Sequence, residues 1–225
     1  MTLKEGIYDI RENLKLLNID SDTTDRHIVF LMNLFRAVII RQFFTNNPGE
    51  HRDMLTQTLY MELELVDKSR FPLYDTIDST LLATKLALPN IIGQQLYKEI
   101  EVRTIERIGA EVEILHKDRV SEVLYAPKNF IYGFREDDGK LYLFGNSPMY
   151  KNLTQITVTA VLEDPESILT IHSSNDDLDI YPITSHLWVT VKGMVVEHIS
   201  KEMSVPKDLV NDNRDEQEAE AQKQT

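Results

Sequence analysis

The chain of 225 residues contains no cysteine. This absence excludes a disulfide framework, a thiolate metal site and a cysteine nucleophile, and it is typical of proteins from a reducing compartment. Glycine is scarce as well, with 8 residues. None of them forms a GxGxxG or GxxxxGKS/T sequence, so a phosphate-binding loop of either known type is excluded.

Basic residues are few compared with acidic ones. The chain has 24 Lys and Arg against 37 Asp and Glu, which gives a formal net charge of −13 at pH 7. Proteins that bind nucleic acid by neutralising phosphates need clustered Lys and Arg, so we expect any contact with DNA to be non-adhesive. The N-terminal residues 1–15 are amphipathic and mixed in charge, and they do not read as a secretory signal.

Catalytic patterns are also missing. Glu197 and His198 are neighbours on a predicted helix, where adjacent side chains point about 100° apart, so a joint acid–base role is geometrically awkward. We expect an ordinary, partly exposed histidine, and we predict that the chain is not an enzyme and takes no cofactor. The six histidines are scattered without metal-ligand spacing: His27, His51, His116, His172, His186 and His198.

One segment resembles the start of a calcium loop, because Asn175, Asp177 and Asp179 alternate along the chain. Ile180, however, stands where the loop needs glycine, and His186 stands where it needs a bidentate glutamate. A solvated turn is therefore the better interpretation, and we predict no metal site.

The longest apolar stretch runs from Arg26 to Phe44. A bilayer core asks for about 20 mostly apolar residues, and a central arginine costs at least ~2.5 kcal/mol, so Arg36 argues against a membrane span. We predict a long amphipathic helix, with Asn33, Arg36 and Gln42 lying away from its apolar face. That face has the three-and-four spacing of a helix and contains Ile28, Leu31, Met32, Phe35, Val38 and Ile39.

A shorter amphipathic segment precedes this helix and contains Leu3, Ile7, Ile10, Leu14 and Leu17. We expect the two segments to form a helical hairpin over residues 1–48. Asp22, followed three residues later by Asp25, is predicted to cap the second helix. Pro48 and Gly49 then end it.

From about Met54 the apolar period changes from 3.6 to 2, which predicts strands. An antiparallel sheet or small barrel is expected over residues 54–182. Asp138 and Gly139 mark a tight turn between two alternating segments. The predicted strands are 59–65, 79–86, 99–105, 111–115, 122–125, 130–134, 140–144 and 155–162.

Helical spacing returns after Pro182, with Thr184 as the expected cap, and predicts a third helix over residues 183–205 that packs with the hairpin. The fold class is therefore predicted to be α+β. Residues 206–225 contain two large aliphatic side chains, Leu209 and Val210, in an acidic segment. Such a segment is expected to be disordered unless a partner binds it.

Six segments follow one another along the chain: TDRHIVFLMNLFRAVIIRQ, LYMELELVD, GKLYLFGN, ITVTAVLEDPES, LDIYPITSHLWVTVKGMVVEHISKE and VPKDLVNDNRDE. In this order they resemble the head-to-tail connector proteins (neck or portal-adaptor rings) of short-tailed, crAss-like bacteriophages. The resemblance implies a dodecameric virion ring that is assembled in the host cytoplasm, docks beneath the portal protein and extends the DNA exit channel. It also implies contacts with further tail or ring proteins, passage of DNA without specific binding, and no membrane.

The residues expected to contact a neighbouring subunit or the portal are Arg36, Arg41, Trp188, Leu209 and Val210. For the two arginines, solvation or pairing within the chain is an equally good interpretation, and for Trp188 so is packing in the core. One alternative function is an acidic host-directed module that binds a basic host protein. Another is a small hydrolase or binding enzyme that uses either Glu197 and His198 or the acidic cluster at residues 176–179.

Overall fold

The N-terminal part of the computed structural model contains two helices, α1 (Leu3–Leu16) and α2 (Asp25–Asn46). The fold class is α+β, as predicted. The structure describes residues 1–17, 23–47, 54–67, 81–93, 100–105, 110–116, 118–120, 130–145, 150–171 and 180–204.

Both helices begin at threonine caps. The Thr2 hydroxyl accepts a hydrogen bond from the Glu5 N–H at 3.1 Å, and the Glu5 carboxylate accepts one from the Thr2 N–H at 2.8 Å. This reciprocal pair satisfies N–H groups that have no partner inside the helix. At α2 the Thr24 hydroxyl accepts from the His27 N–H at 3.3 Å. The predicted cap, Asp22, lies outside the described residues, and the capping prediction is wrong because Thr24 takes that role.

The middle of the chain forms a closed barrel in the order β1-β2-β6-β5-β4-β3-β7. The described pairs are antiparallel except β4–β5, which is parallel, so an entirely antiparallel arrangement is not what forms. The predicted strand at 122–125 lies outside the described residues. The seven strands are β1 (Gln57–Val66), β2 (Leu81–Thr84), β3 (Glu101–Thr104), β4 (Glu111–Ile114), β5 (Ile131–Arg135), β6 (Leu141–Gly145) and β7 (Gln155–Ala160).

Alternation along β1 explains how the barrel is filled. Leu59, Met61 and Leu63 point inward and are at most 9% exposed, whereas Tyr60 is 56% exposed. Leu65 breaks the predicted pattern and is 74% exposed. The barrel interior is a single apolar cluster to which all seven strands contribute, including Val102, Val112, Ile131, Leu143 and Val158.

Strands β5 and β6 are buried on both faces. Their outward side chains Tyr132, Phe134, Tyr142 and Phe144 are at most 6% exposed, and they form a second apolar cluster outside the barrel. Rings pair across the strands, with centroids 5.7 Å apart for Tyr132 and Phe144. These aromatic residues therefore stabilise the fold by cross-strand packing.

The turn between β5 and β6 contains Gly139 at φ 77°, as expected for the Asp138–Gly139 pair. The Tyr142 hydroxyl donates to one carboxylate oxygen of Asp138 at 2.6 Å, and the Lys140 N–H donates to the other at 2.9 Å. The aspartate therefore fixes the turn from both sides.

Replacing Gly139 with alanine is expected to lower the free energy of unfolding by about 1 kcal/mol, because a side chain disfavours positive φ. The new Cβ would also lie only 3.2 Å from the Cβ of Ala87. Gly193 is a matched control, since it lies at an exposed position of the helix over residues 185–204 and has open space around it. Gly193→Ala should stabilise by roughly 0.5–1 kcal/mol. Chemical denaturation measures both, and equal signs would contradict the turn argument.

After the barrel the chain forms a short helix, α3 (Ser167–Ile171), and a long one, α4 (Ser185–Ser204). The Thr184 carbonyl accepts from the Trp188 N–H at 2.9 Å. His27 at the start of α2 contacts Glu202 near the end of α4 at 3.3 Å, so the two helices run antiparallel. The three long helices share one apolar cluster, which includes Ile10, Leu14, Ile28, Leu31, Met32, Val191, Val195 and Ile199.

Candidate assembly surfaces

Arg36 joins the helices to the barrel. Its Nε donates to the Pro182 carbonyl at 2.9 Å and its Nη1 donates to the Leu162 carbonyl at 2.7 Å. Leu162 follows β7, and Pro182 precedes α4. One side chain on α2 therefore connects the end of the barrel with the start of the last helix.

The surroundings of Arg36 are apolar and aromatic. The side chain is fully buried, and its guanidinium carbon lies 5.9 Å from the centre of the Tyr181 ring. Burial lowers the pKa of Arg36 to about 10 because the charged form is removed from water. The Tyr181 hydroxyl donates to Asn33 at 2.8 Å, and burial raises the pKa of that phenol.

The prediction that Arg36 lies away from the buried face of α2 is wrong. The helix is covered on two sides, by α1 and α4 on one and by residues at the end of the barrel on the other. The second side is a separate apolar cluster that includes Ala37, Ile40 and Val161. Contact of Arg36 with another subunit stays a prediction, and within its own subunit the side chain is an internal anchor.

Arg41 pairs within the chain. Its Nη2 lies 2.8 Å from a carboxylate oxygen of Glu163, and the two side chains are 54% and 38% exposed. An exposed ion pair of this kind contributes little to stability. A contact between Arg41 and a second subunit therefore stays a prediction. Such a contact would extend or replace the ion pair with Glu163.

Trp188 lies in the helical core and is 8% exposed. Its indole N–H donates to a carboxylate oxygen of Asp9 on α1 at 3.0 Å. The indole ring also packs closely against α1 at Gly6, since a Cβ added at that glycine would lie 3.2 Å from the ring. Core packing of Trp188 is thus observed, and its expected role in a subunit contact stays a prediction.

Leu209 and Val210 lie outside the described residues. The segment Asn175–Asp179, which resembles the start of a calcium loop, lies outside them as well. Within the described part of the chain, no group of three or more His, Asp or Glu side chains is placed to hold a metal ion.

Glu197 and His198, the two residues considered as a catalytic pair, interact with different partners and not with each other. Glu197 accepts from Lys201 at 2.6 Å, and this hydrogen bond lowers the pKa of Glu197. His198 lies 3.2 Å from Glu202, whose second oxygen contacts His27. The histidine thus belongs to the contact between α4 and α2.

The outward face of α2 has exposed apolar side chains that sequence reasoning missed. Phe30 is 60% exposed and Leu34 is 45% exposed, and a spacing of four residues places them on one face. Helix α2 is long and apolar enough to cross a membrane by length and composition, with about a third of its most apolar window buried. Its buried Arg36 and its packing against α4 identify it as a core helix of this fold.

Comparison with known proteins assigns the fold to a family. Residues 5–220 match the family model described as phage tail ring protein 2. The chain is 26% identical over 229 residues to the protein named Ring protein 2 of Bacteroides phage crAss001, a match that covers 96% of this chain and 98% of that protein.

Proposed function

Because the chain belongs to the phage tail ring protein 2 family, it is a structural protein of the virion tail, and we propose that it forms a dodecameric ring. This ring joins the portal to the tail and extends the channel through which DNA leaves. Its partners are further copies of the chain, the portal protein and other tail or ring proteins. Its role is structural rather than catalytic, and it is assembled in the host cytoplasm before it enters the virion.

The observation that carries the proposal is the match to a ring-protein family over nearly the whole chain. The charge distribution supports passage of DNA without binding. The net charge is −13, and among the described residues most exposed lysines and arginines form ion pairs with acids of the same chain, as in Lys85–Glu62 and Lys201–Glu197. Cations held in this way are poor ligands for phosphate, and a wall made of such residues would let DNA slide.

The fold supports a division of the subunit into structural units. We propose that residues 1–48 and 183–205 act as one helical unit, in which α4 packs on the hairpin, and that residues 54–182 form a β-rich unit. Residues 206–225 then act as an acidic segment that becomes ordered on a partner, with Leu209 and Val210 as its apolar contacts. Arg36 holds the two units together through the carbonyls of Leu162 and Pro182.

We expect the purified chain, alone or mixed with the portal protein of the same phage, to assemble into rings of one size. Mass photometry would give the copy number, and electron microscopy of the mixture would show whether the ring stacks beneath the portal. A ring that does not bind the portal protein would place the protein at another position in the tail. A protein that stays monomeric under both conditions would contradict the proposed function.

A further inference from the structure

Nearly every charged side chain that the structure describes has a partner within the chain. Lys15 pairs with Glu12 and Arg11 with Asp25, and the same holds along the barrel and α4. Among the described residues, three exposed charges take part in no hydrogen bond or ion pair. They are Arg26 on α2 and the two outward residues of β4, Glu111 and Glu113.

Arg26 lies beside the exposed apolar residues of α2. Arg26, Phe30 and Leu34 follow at intervals of four residues, so they line one side of the helix. We call these three residues the α2 patch. Phe30 is 60% exposed and Leu34 is 45% exposed, and apolar area of this kind beside a free cation is typical of a binding surface.

Glu111 and Glu113 lie on the outside of the barrel. The alternate residues Val112 and Ile114 are buried in its interior, which turns both glutamates outward. Close by, just after β3, Ile105 is 43% exposed. We call Glu111, Glu113 and Ile105 the β4 patch.

The β4 patch borders a groove of about 560 Å³. The lining contains both glutamates and Asp118 beside one arginine, Arg119, so acids outnumber bases there, and Leu115 is among its apolar side chains. A concave surface that combines apolar walls with acid complements an aromatic ring and a cation from another molecule.

We propose that the α2 patch of one copy of this chain binds the β4 patch of the next copy. The proposal rests on the proposed ring, and it identifies the two surfaces that meet between subunits. Two different surfaces form a heterologous contact, and repetition of such a contact closes into a ring when the rotation permits. A C2 contact, by contrast, would need both patches within one self-complementary surface and would stop at a dimer, which the measured copy number distinguishes from a ring.

Charge gives the main reason for this choice of partner. Copies that each have a net charge of −13 repel one another, so contact between them requires local complementarity. Arg26 is the free cation of the described residues, and Glu111 and Glu113 are their free acids. Exposed ion pairs add little affinity, so Phe30 and Leu34 supply the buried area while the charges set the register.

The test is a charge exchange. Arg26→Glu alone, and Glu111→Arg with Glu113→Arg, should each raise the concentration of half-assembly by roughly tenfold or more, because like charges then face each other. The chain that combines all three substitutions should recover assembly, since its charges are complementary again. Mass photometry over a dilution series measures each variant. Lys201→Glu, the same charge change on α4, is the control and should assemble like the unaltered chain.

Each outcome decides the matter. Arg26 and Glu113 are exposed and form no ion pair with a described residue, so substitutions there should leave the melting temperature nearly unchanged. Glu111 stands opposite Arg103 across the β3–β4 pair, so Glu111→Arg should lower it slightly. Assembly of every variant is therefore compared at equal folded fraction. If Arg26→Glu assembles normally, or if the combined chain does not recover, the inferred contact is wrong while the ring stands. If the unaltered chain forms no ring at any concentration, the proposed function and this contact both fail.

Discussion

Arg36→Ala is expected to lower the free energy of unfolding by about 3–5 kcal/mol. The substitution removes both donors from the carbonyls of Leu162 and Pro182 and leaves these buried acceptors without partners. It also opens a cavity beside the Tyr181 ring, whose centre lies 5.9 Å from the guanidinium carbon, and such a cavity is destabilising. Urea denaturation followed by circular dichroism measures the change.

Two further variants separate the causes of this effect. Arg36→Met restores most of the volume but none of the hydrogen bonds, so we expect it to lose roughly 1–3 kcal/mol. Arg41→Ala removes only the exposed pair with Glu163 and should change stability by less than about 1 kcal/mol. If Arg36→Ala were no worse than Arg41→Ala, the anchoring role of Arg36 would be wrong.

Trp188→Ala is expected to have a comparable effect, about 3–5 kcal/mol, because a large buried aromatic side chain is lost from the helical core. The loss also removes the indole donor, at 3.0 Å, from Asp9, which keeps Lys192 and Asn13 as its described side-chain partners. Thermal unfolding followed by circular dichroism measures it. The effect should appear in dilute, unassembled subunits.

Trp188→Phe is the matched control, since it keeps an aromatic ring and removes the indole donor. We expect it to lose about 1–2 kcal/mol. The result also separates the two interpretations of Trp188 that the sequence left open. If Trp188→Ala left the subunit as stable as before and abolished only ring formation, the interface interpretation would replace the core interpretation.

The strands could be predicted because their signals are local. Alternation in β1 and the Asp138–Gly139 turn indicate structure within a few residues, and both predictions agree with the barrel. The parallel pairing of β4 with β5 could not be predicted in this way, and neither could the choice between an open sheet and a closed barrel. Both depend on which strands become neighbours in the fold. A strand with alternating apolar residues can pair equally well with several other strands of the same pattern.

The position of Arg36 shows a different limit. An argument from helical periodicity assumes that a helix has one buried face. Helix α2 has two buried faces, so Arg36, which periodicity assigns to the solvent-exposed side, lies in the interior. The assembly surfaces show a third limit. Arg26, Glu111 and Glu113 become distinctive only when the partners of the other charges are known, and those partners are distant in sequence.

The seam that closes the barrel determines when the subunit can fold. Strand β1 pairs with β7, and Gln57 stands opposite Ala160, so about a hundred residues must be synthesised between the two partners. Contacts this distant in sequence form slowly because a long loop must close first. The helices face the same delay, since α2 packs against α4 from residues 185–204. The barrel can therefore close only after β7 has been synthesised, and the helical core can form only after α4 has been synthesised.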